Sequence, residues 1–441
     1  MASGLSAGRA RARATLPYQR SVLANGLRVV TQEMPAARSA AVGLFVGVGS
    51  RHEDEAHAGL SHMLEHLVFK GTRRYPEPGG LSEAVEGCGG SVNASTDREL
   101  TIYSARVPGG AADRALGVVA DLVLAPLLRR RDLAAEKPVI VDEIRMYIDS
   151  PGDHVFSLFD SLLFGRHPLG REIAGTPQSV RRARHDVVLD HWRRWYRPEH
   201  VVLAAAGSIR HDAVLATAEG WFDGGGDGGS VARIPAIQPP PAAAPPASLR
   251  VDYRKLGQGN LCLGMPGVAR DHPDRWALDL LGAVLGDGMS SRLFLELRER
   301  RSLAYDVSTF GSSYADCGTF GVHAGFHPDQ AGVVVGAILD QLDRVVQDPV
   351  SDAELERARA YTRGRLLLRM EETGAVAAWL GVGESLLPRI LTVDEVIARL
   401  EAVTVDDLLR VARSYARPDL ARLAVLGPFR SRRRFERMLS R

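Results

Sequence analysis

Apolar and polar positions change period along this chain, and the changes mark its elements. Leu27 to Thr31 and Ala40 to Val48 are apolar, β-branched runs separated by Pro35 and polar residues, and they predict two strands. Leu60, Met63, Leu64, Leu67 and Val68 then recur at helical spacing, which predicts an amphipathic helix. Leu81 to Val85 begins another helix that stops at Gly87, and Gly89-Gly90 turns the chain into a strand, Ser91 to Thr96. A second alternating run, Glu99 to Tyr103, follows through a hairpin at Asp97-Arg98. Helical patterns then occupy roughly 110–125, 131–149 and 154–163, with Pro138 inside the second. A strand at Val201 to Ala206 and a helix near 211–220 close this half.

A break in composition follows. Gly224 to Gly229 is flexible, and the stretch from Pro239 to Pro246 is stiff and extended, so 223–248 reads as a linker. Its length suits two domains packed face to face. Beyond it the order of elements repeats: a strand near 259–265, helices near 274–286 and 291–301, and strands near 304–312 and 317–326. Long helices over 328–347, 351–371 and 392–416 then lead to a last strand at Ala421 to Leu426. The repetition resembles a duplication.

Length and charge narrow the class. A chain of 441 residues exceeds one ordinary core and predicts two domains. A formal net charge of +2 gives no global field for nucleic acid or a membrane surface. The basic tail Arg430 to Phe435 reads as a solvated helix end, because no aromatic-interleaved basic surface precedes it. No window reaches the ~18 consecutive apolar residues of a membrane span. Met1 to Thr15 has arginines but no apolar core, so 1–15 is expected to be a disordered tail. Lys70, Lys137 and Lys255 are the only lysines among 55 basic residues, a bias typical of a GC-rich bacterial genome. Cys88, Cys262 and Cys317 lack metal-ligand spacing and are odd in number, so the expected compartment is a reducing bacterial cytoplasm.

The chemistry concentrates on the first amphipathic helix. His62 and His66 lie one turn apart and project side by side, with Glu65 on the same face. Two neutral imidazoles at this spacing can grip one zinc ion, and the carboxylate between them can take a proton from an activated water. The order His-x-x-Glu-His inverts the commoner zinc-protease motif. A catalytic zinc site wants a third protein ligand. Downstream, Glu136 and Glu143 are two helical turns apart on one predicted helix and face the same way.

With these residues the sequence resembles the inverted-motif zinc peptidases that include insulysin, pitrilysin and the mitochondrial processing peptidase, most closely the short two-domain bacterial and mitochondrial branch. Gly49-Ser50-Arg51 and Glu53 before the motif, and Phe69-Lys70-Gly71-Thr72 after it, extend the match. The resemblance implies His62, His66 and Glu143 as ligands of one Zn2+ per chain, Glu65 as general base, and Glu136 as a carboxylate supporting the ligands. Pro138 is foreign to the family pattern and brings the orientation of Glu136 into question. The stretch Gly89-Gly90-Ser91-Val92-Asn93-Ala94-Ser95-Thr96 matches a family edge strand, which implies that Asn93 and Ala94 pair with the substrate backbone. Free edge groups bind extended peptides with little regard for sequence. In the second half, Arg298 and Tyr305 match an arginine and a tyrosine that reach the active site. The resemblance implies that Arg298 holds the substrate backbone and Tyr305 donates to the oxyanion. Ser302 stands where the family usually has glycine.

The expected fold is therefore α+β, with two homologous domains, each an antiparallel-rich mixed sheet with helices packed on one side, forming half of a clamshell chamber. Residues 16–222 would be the catalytic zinc-binding domain and 249–441 a substrate-binding domain without metal. The linker would let the two halves close on each other around the peptide. The expected activity is zinc-dependent hydrolysis of unfolded or short polypeptides bound as an added β-strand. Alternatives are a protease dedicated to maturing one precursor peptide, and a non-catalytic partner subunit. The expected assembly is a homodimer, with a heterodimer with an inactive relative as the other possibility, and neither nucleic acid nor membrane as partner.

Overall fold

The apolar runs before the linker assemble into one six-stranded sheet: β1 (Gln19–Val22), β2 (Arg28–Glu33), β3 (Ser39–Val46), β4 (Ser91–Thr96), β5 (Thr101–Pro108) and β6 (Val201–Gly207), in the order β1-β2-β6-β3-β5-β4. The computed structural model describes residues 16–222, 237–240 and 248–440. The expected tail 1–15 and most of the linker 223–248 lie outside the described residues. Every position of β3 after its first is buried, so its sequence reads as a continuous apolar run and not as an alternation. Val42, Leu44 and Val46 face one core, and Ala41 and Phe45 face another.

The second sheet holds β7 (Leu249–Tyr253), β8 (Gly259–Gly267), β9 (Ala304–Ser313), β10 (Gly318–Phe326) and β11 (Arg422–Gly427), in the order β7-β11-β8-β10-β9. Its topology repeats that of β2 to β6. In each sheet the first of these strands lies parallel to the last, and all other neighbours are antiparallel. In each, the strand that opens the hairpin, β4 or β9, is left as a free edge. The sheets are thus mixed and antiparallel-rich.

Helices α1 (Leu60–Val68), α2 (Gly80–Glu86), α3 (Ala112–Leu124), α4 (Arg130–Asp149), α5 (Pro151–Phe164), α6 (Pro177–Arg182), α7 (His185–Trp195) and α8 (His211–Phe222) belong to the first half. The second half contributes α9 (Arg275–Gly286), α10 (Ala331–Gln347), α11 (Asp352–Arg369), α12 (Thr373–Leu386), α13 (Val393–Ala402), α14 (Val405–Tyr415) and α15 (Arg433–Leu439). Two departures from the sequence pattern have local causes. The helix expected over 392–416 is two, because Thr404 restarts the chain with a capping box to Asp407. The pattern predicts nothing over 373–386, where α12 carries Gly374, Gly381 and Gly383. Gly381 is a packing requirement, since a Cβ there would overlap the ring of Phe45.

One helix from each half crosses to the other. The apolar side of α12 packs on the face of the first sheet formed by Val30, Ala41, Phe45, Val202 and Ala204. In return, α5 sets Val155, Leu158 and Phe159 against Cys262, Ala424 and Leu426 of the second sheet. A buried ionic cluster joins the halves as well. Arg51 meets Glu99 at 2.8 Å and Asp316 at 2.5 Å, Arg270 meets Glu99 at 2.6 Å, and the Ala315 N–H donates to Glu99 at 3.0 Å. The described halves are thus packed on each other through exchanged helices, with paired charges in the same interface.

Glu99 neutralises Arg51 and Arg270 in this interface, so Glu99→Gln would leave excess buried positive charge. We expect the variant to lose about 3–5 kcal/mol of unfolding free energy, read from chemical denaturation. A loss within ~0.5 kcal/mol, the range of surface changes, would show that the cluster does not hold the halves together.

Candidate active site

Helix α1 buries Leu60, Met63, Leu64, Leu67 and Val68 and turns its polar side toward α4. Its head is fixed by a carboxylate from outside the helix. Glu53 accepts the Gly59 N–H at 2.7 Å and the Ser61 N–H at 2.6 Å, satisfying amides that a helix start leaves unpaired. Gly59 is required here, with φ of 95° and a Cβ position 2.5 Å from the Ala174 carbonyl. Burial pushes the Glu53 carboxyl up to about 7, against the pull of the Ser61 and Gly59 donors and Arg171. His191 faces Ser61 Oγ at 3.3 Å and is pushed down to about 4 by burial and the neighbouring His52.

Two turns of α1 and one of α4 bring three predicted residues together. The His62 and His66 rings stand edge to face, 4.7 Å apart. Glu143 reaches His62 Nε2 at 3.5 Å with Oε1 and His66 Nε2 at 3.2 Å with Oε2. All three ligand atoms lie within 4.8 Å of one another, the one such group among the described residues. Burial and the adjacent His66 lower the His62 pKa, which keeps that imidazole neutral. His66 donates from Nδ1 to Glu136 Oε2 at 3.0 Å, so its Nε2 carries the lone pair. Two imidazole nitrogens and a carboxylate facing one point form a donor set suited to zinc.

Glu136 is 4% exposed, and Lys70 Nζ meets its other oxygen at 2.5 Å. Helix α4 runs unbroken through Pro138, and both acidic residues face α1. The sequence motif contains Lys70 but gave no sign of its partner, which lies on another helix.

Glu65 stands beside the three. Its Oε2 accepts the Thr96 hydroxyl at 2.5 Å. Burial raises its pKa, while Thr96 and His66 lower it. Thr96 ends β4, so the edge strand and Glu65 are tied directly. On β4, Val92 and Ala94 turn to the core under α1, whereas Ser91, Asn93 and Ser95 are exposed. The Ala94 N–H donates to the Asn93 side chain at 2.9 Å. Tyr147, one turn beyond Glu143, is 51% exposed beside the cluster and was not singled out by sequence. Its pKa is raised by burial and the nearby Glu143.

The structure does not bring Arg298 and Tyr305 to this cluster. The Arg298 guanidinium lies over the rings of Phe294 at 5.0 Å and Tyr305 at 5.7 Å, and Tyr305 is 76% exposed. Among the described residues, no hydrogen bond, ion pair or ring contact links either to His62, Glu65, His66 or Glu143. Tyr305 lies near the start of β9, the free edge of the second sheet. Ser302, between them, has φ of 48°, a left-handed conformation that glycine adopts more easily.

Residues 28–177 match the family model described as insulinase (peptidase family M16), and residues 182–361 match the model described as peptidase M16 inactive domain. An uncharacterized zinc protease of Streptomyces coelicolor is 39% identical over 94% of this chain and 90% of its own. An uncharacterized zinc protease of Mycobacterium tuberculosis is 36% identical over 97% of both chains. The crystal structure of a protease from Helicobacter pylori shares the fold, with a TM-score of 0.86 at 24% identity over 93% of this chain and 99% of that one.

The head of α1 yields a pH prediction. Glu53 rises from its ordinary 4.5 to about 7 on folding. The stability supplied by its protonated form is therefore complete below the lower value and drains away as pH climbs through the higher. Glu53→Gln cannot titrate, so its melting temperature minus that of the wild type should increase from pH ~4.5 to ~8 and then level. A difference independent of pH would mean that Glu53 is an ordinary carboxylate.

Proposed function

The chain belongs to the insulinase family, peptidase family M16, and from that premise we propose that it is a zinc-dependent endopeptidase acting on unfolded or short polypeptides. The observation that carries the reading is the convergence of His62, His66 and Glu143 beside an uncommitted carboxylate, Glu65, which is itself tied to a free strand edge. His62, His66 and Glu143 would hold the ion. When bound, zinc supplies positive charge that polarises a peptide carbonyl and acidifies a water.

The remaining work falls to side chains already in place. Glu65, steadied by Thr96, takes the proton of the attacking water and returns it to the leaving amine. Glu136 keeps His66 in the tautomer that presents Nε2, and Lys70 balances the charge of Glu136. Strand β4 supplies backbone groups around Asn93 and Ala94 to an extended substrate, which adds to the sheet as a further strand. Folded proteins cannot offer such a strand, so flexible chains are the substrates.

A second copy of the chain enters this reading through Arg298 and Tyr305. Tyr305 is exposed, and among the described residues neither it nor Arg298 touches the His62, His66 and Glu143 cluster, which supports a role for the pair in the site of a homodimer partner.

Purified protein should carry one zinc per chain by elemental analysis. Glu65→Gln should keep the metal and lose 10²-fold or more in kcat, the usual scale for a general base. Near-wild-type turnover in that variant would overturn the mechanism. Glu136→Gln should weaken zinc affinity ~10–100-fold, and Glu143→Gln by more. Equal occupancy in all three variants would make Glu143 a bystander. The assembly is checked by mass, expected near twice the chain's 47.7 kDa, and by mixing inactive Glu65→Gln with Tyr305→Phe. Recovered activity places Tyr305 in the partner's site. A fully active monomer would refute the dimer.

A further inference from the structure

The far side of the substrate strand holds a recess that the metal chemistry does not use. Asn93 of β4 pairs with Ser104 of β5, and Ser104 with Gly43 of β3, so the three stand in one row across the sheet. They share the face that α12 covers, opposite to α1. All three are small or short, and α12 passes over them with Gly374, Ala377 and Ala378. The result is a slot of about 130 Å³ whose β4 end is lined by Ser91 and the exposed Asn93. An apolar cavity of ~150 Å³ accommodates benzene, so the slot matches a medium aliphatic side chain. Its floor is rigid, because the Phe45 ring is wedged against both Gly43 and Gly381. A Cβ built on Gly374 meets nothing within 4 Å, which shows how open the α12 side is.

We infer that this slot is a specificity subsite for an aliphatic side chain, Leu, Ile, Val or Met in size, of the peptide bound along β4. The inference rests on the peptidase reading above and adds to it a choice of substrate. A residue paired opposite Asn93 must project to the same face as Asn93, while its neighbours project toward α1 and Glu65. Glu65 is held at Thr96, three residues along β4 from Asn93, and at ~3.3 Å per residue the slot lies ~10 Å along the strand from the reacting bond. The slot therefore selects a residue about three positions from the cleaved bond. Its wall comes from the second half, so the half without the motif contributes to substrate choice through α12.

The test is a cleavage-site profile on a proteome-derived peptide library, read by mass spectrometry. It uses wild-type enzyme and two variants that fill the slot, Ala378→Leu and Gly374→Leu, each checked for an unchanged melting temperature. Wild type should favour aliphatic residues two to four positions from the cut on one side. Each variant should lose ~10-fold or more in kcat/KM for those peptides relative to counterparts with Gly or Ala there, the scale of a hydrophobic pocket. The Gly374 variant keeps the test intact if the Ala378 variant misfolds. A wild-type profile indifferent to that residue, or one unchanged in the folded variants, overturns the subsite and leaves the peptidase reading standing. Absence of any chelator-sensitive cleavage by wild type brings down the peptidase reading and the subsite with it.

Discussion

Each sheet in this protein is apolar on both faces, and that constraint governs the rest. A face left open would expose the buried sides of Ala41, Phe45, Val202 and Ala204 in one sheet, or of Cys262, Ala424 and Leu426 in the other. At ~25 cal/mol per Å² of apolar surface the penalty would be several kcal/mol for each face. The chain resolves this by exchange: α12 covers the first sheet and α5 the second. Both contacts seat a phenylalanine ring on a glycine. Phe159 of α5 lies where a Cβ on Gly264 would meet it at 2.7 Å, and Phe45 lies against Gly381 of α12. Neither glycine could carry a side chain without displacing the ring that packs on it. The ionic cluster around Glu99 then buries charge only where partners are already fixed.

The donor cluster rests on packing between separate elements as well. Its donors come from two helices, and small shifts of α1 against α4 would separate them. Carboxylates from outside α1 act at both its ends. Glu53 receives the free amides at the N-terminus. Just beyond the C-terminus, Lys70 reaches Glu136, which also fixes His66. Buried carboxylates are costly when unpaired. Here each one is engaged, and each engagement orients the motif helix.

The parts legible in the sequence are those whose partners are near in the chain. His62, Glu65 and His66 share a helix face by periodicity alone, and Glu136 and Glu143 share another two turns apart. Strands and most helices followed from the same local periods. What escaped was set by distant contacts. The glycines of α12 look like loop residues until the Phe45 ring is in place. Lys70 has no visible task without α4, and neither Arg51 nor Glu99 announces an interface with residues more than 160 positions away. The linker's composition has the same limit. Its Gly and Pro content reports on the stretch itself and says nothing of the helices exchanged on either side. Family resemblance brought Arg298 and Tyr305 into the site, yet among the described residues they have no contact with the cluster, and Arg298 lies over the rings of Phe294 and Tyr305.

The duplicated topology also shows why one half alone carries the donor set. After β3 comes α1, and after the equivalent β8 comes α9. Helix α9 is buried along nearly its whole length, from Ala277 and Leu278 to Leu285 and Gly286, because α11 and α14 pack on the side away from its sheet. Imidazoles there would be desolvated without an open position for water or substrate. The outer side of α1 faces α4 instead, which covers it partly and offers carboxylates. His62 is consequently shielded enough to remain neutral, and Glu143 stays accessible. Covering helices thus decide which copy of the duplicated unit can hold a cation. The other copy is free to supply α12, and with it a wall of the recess beside Asn93.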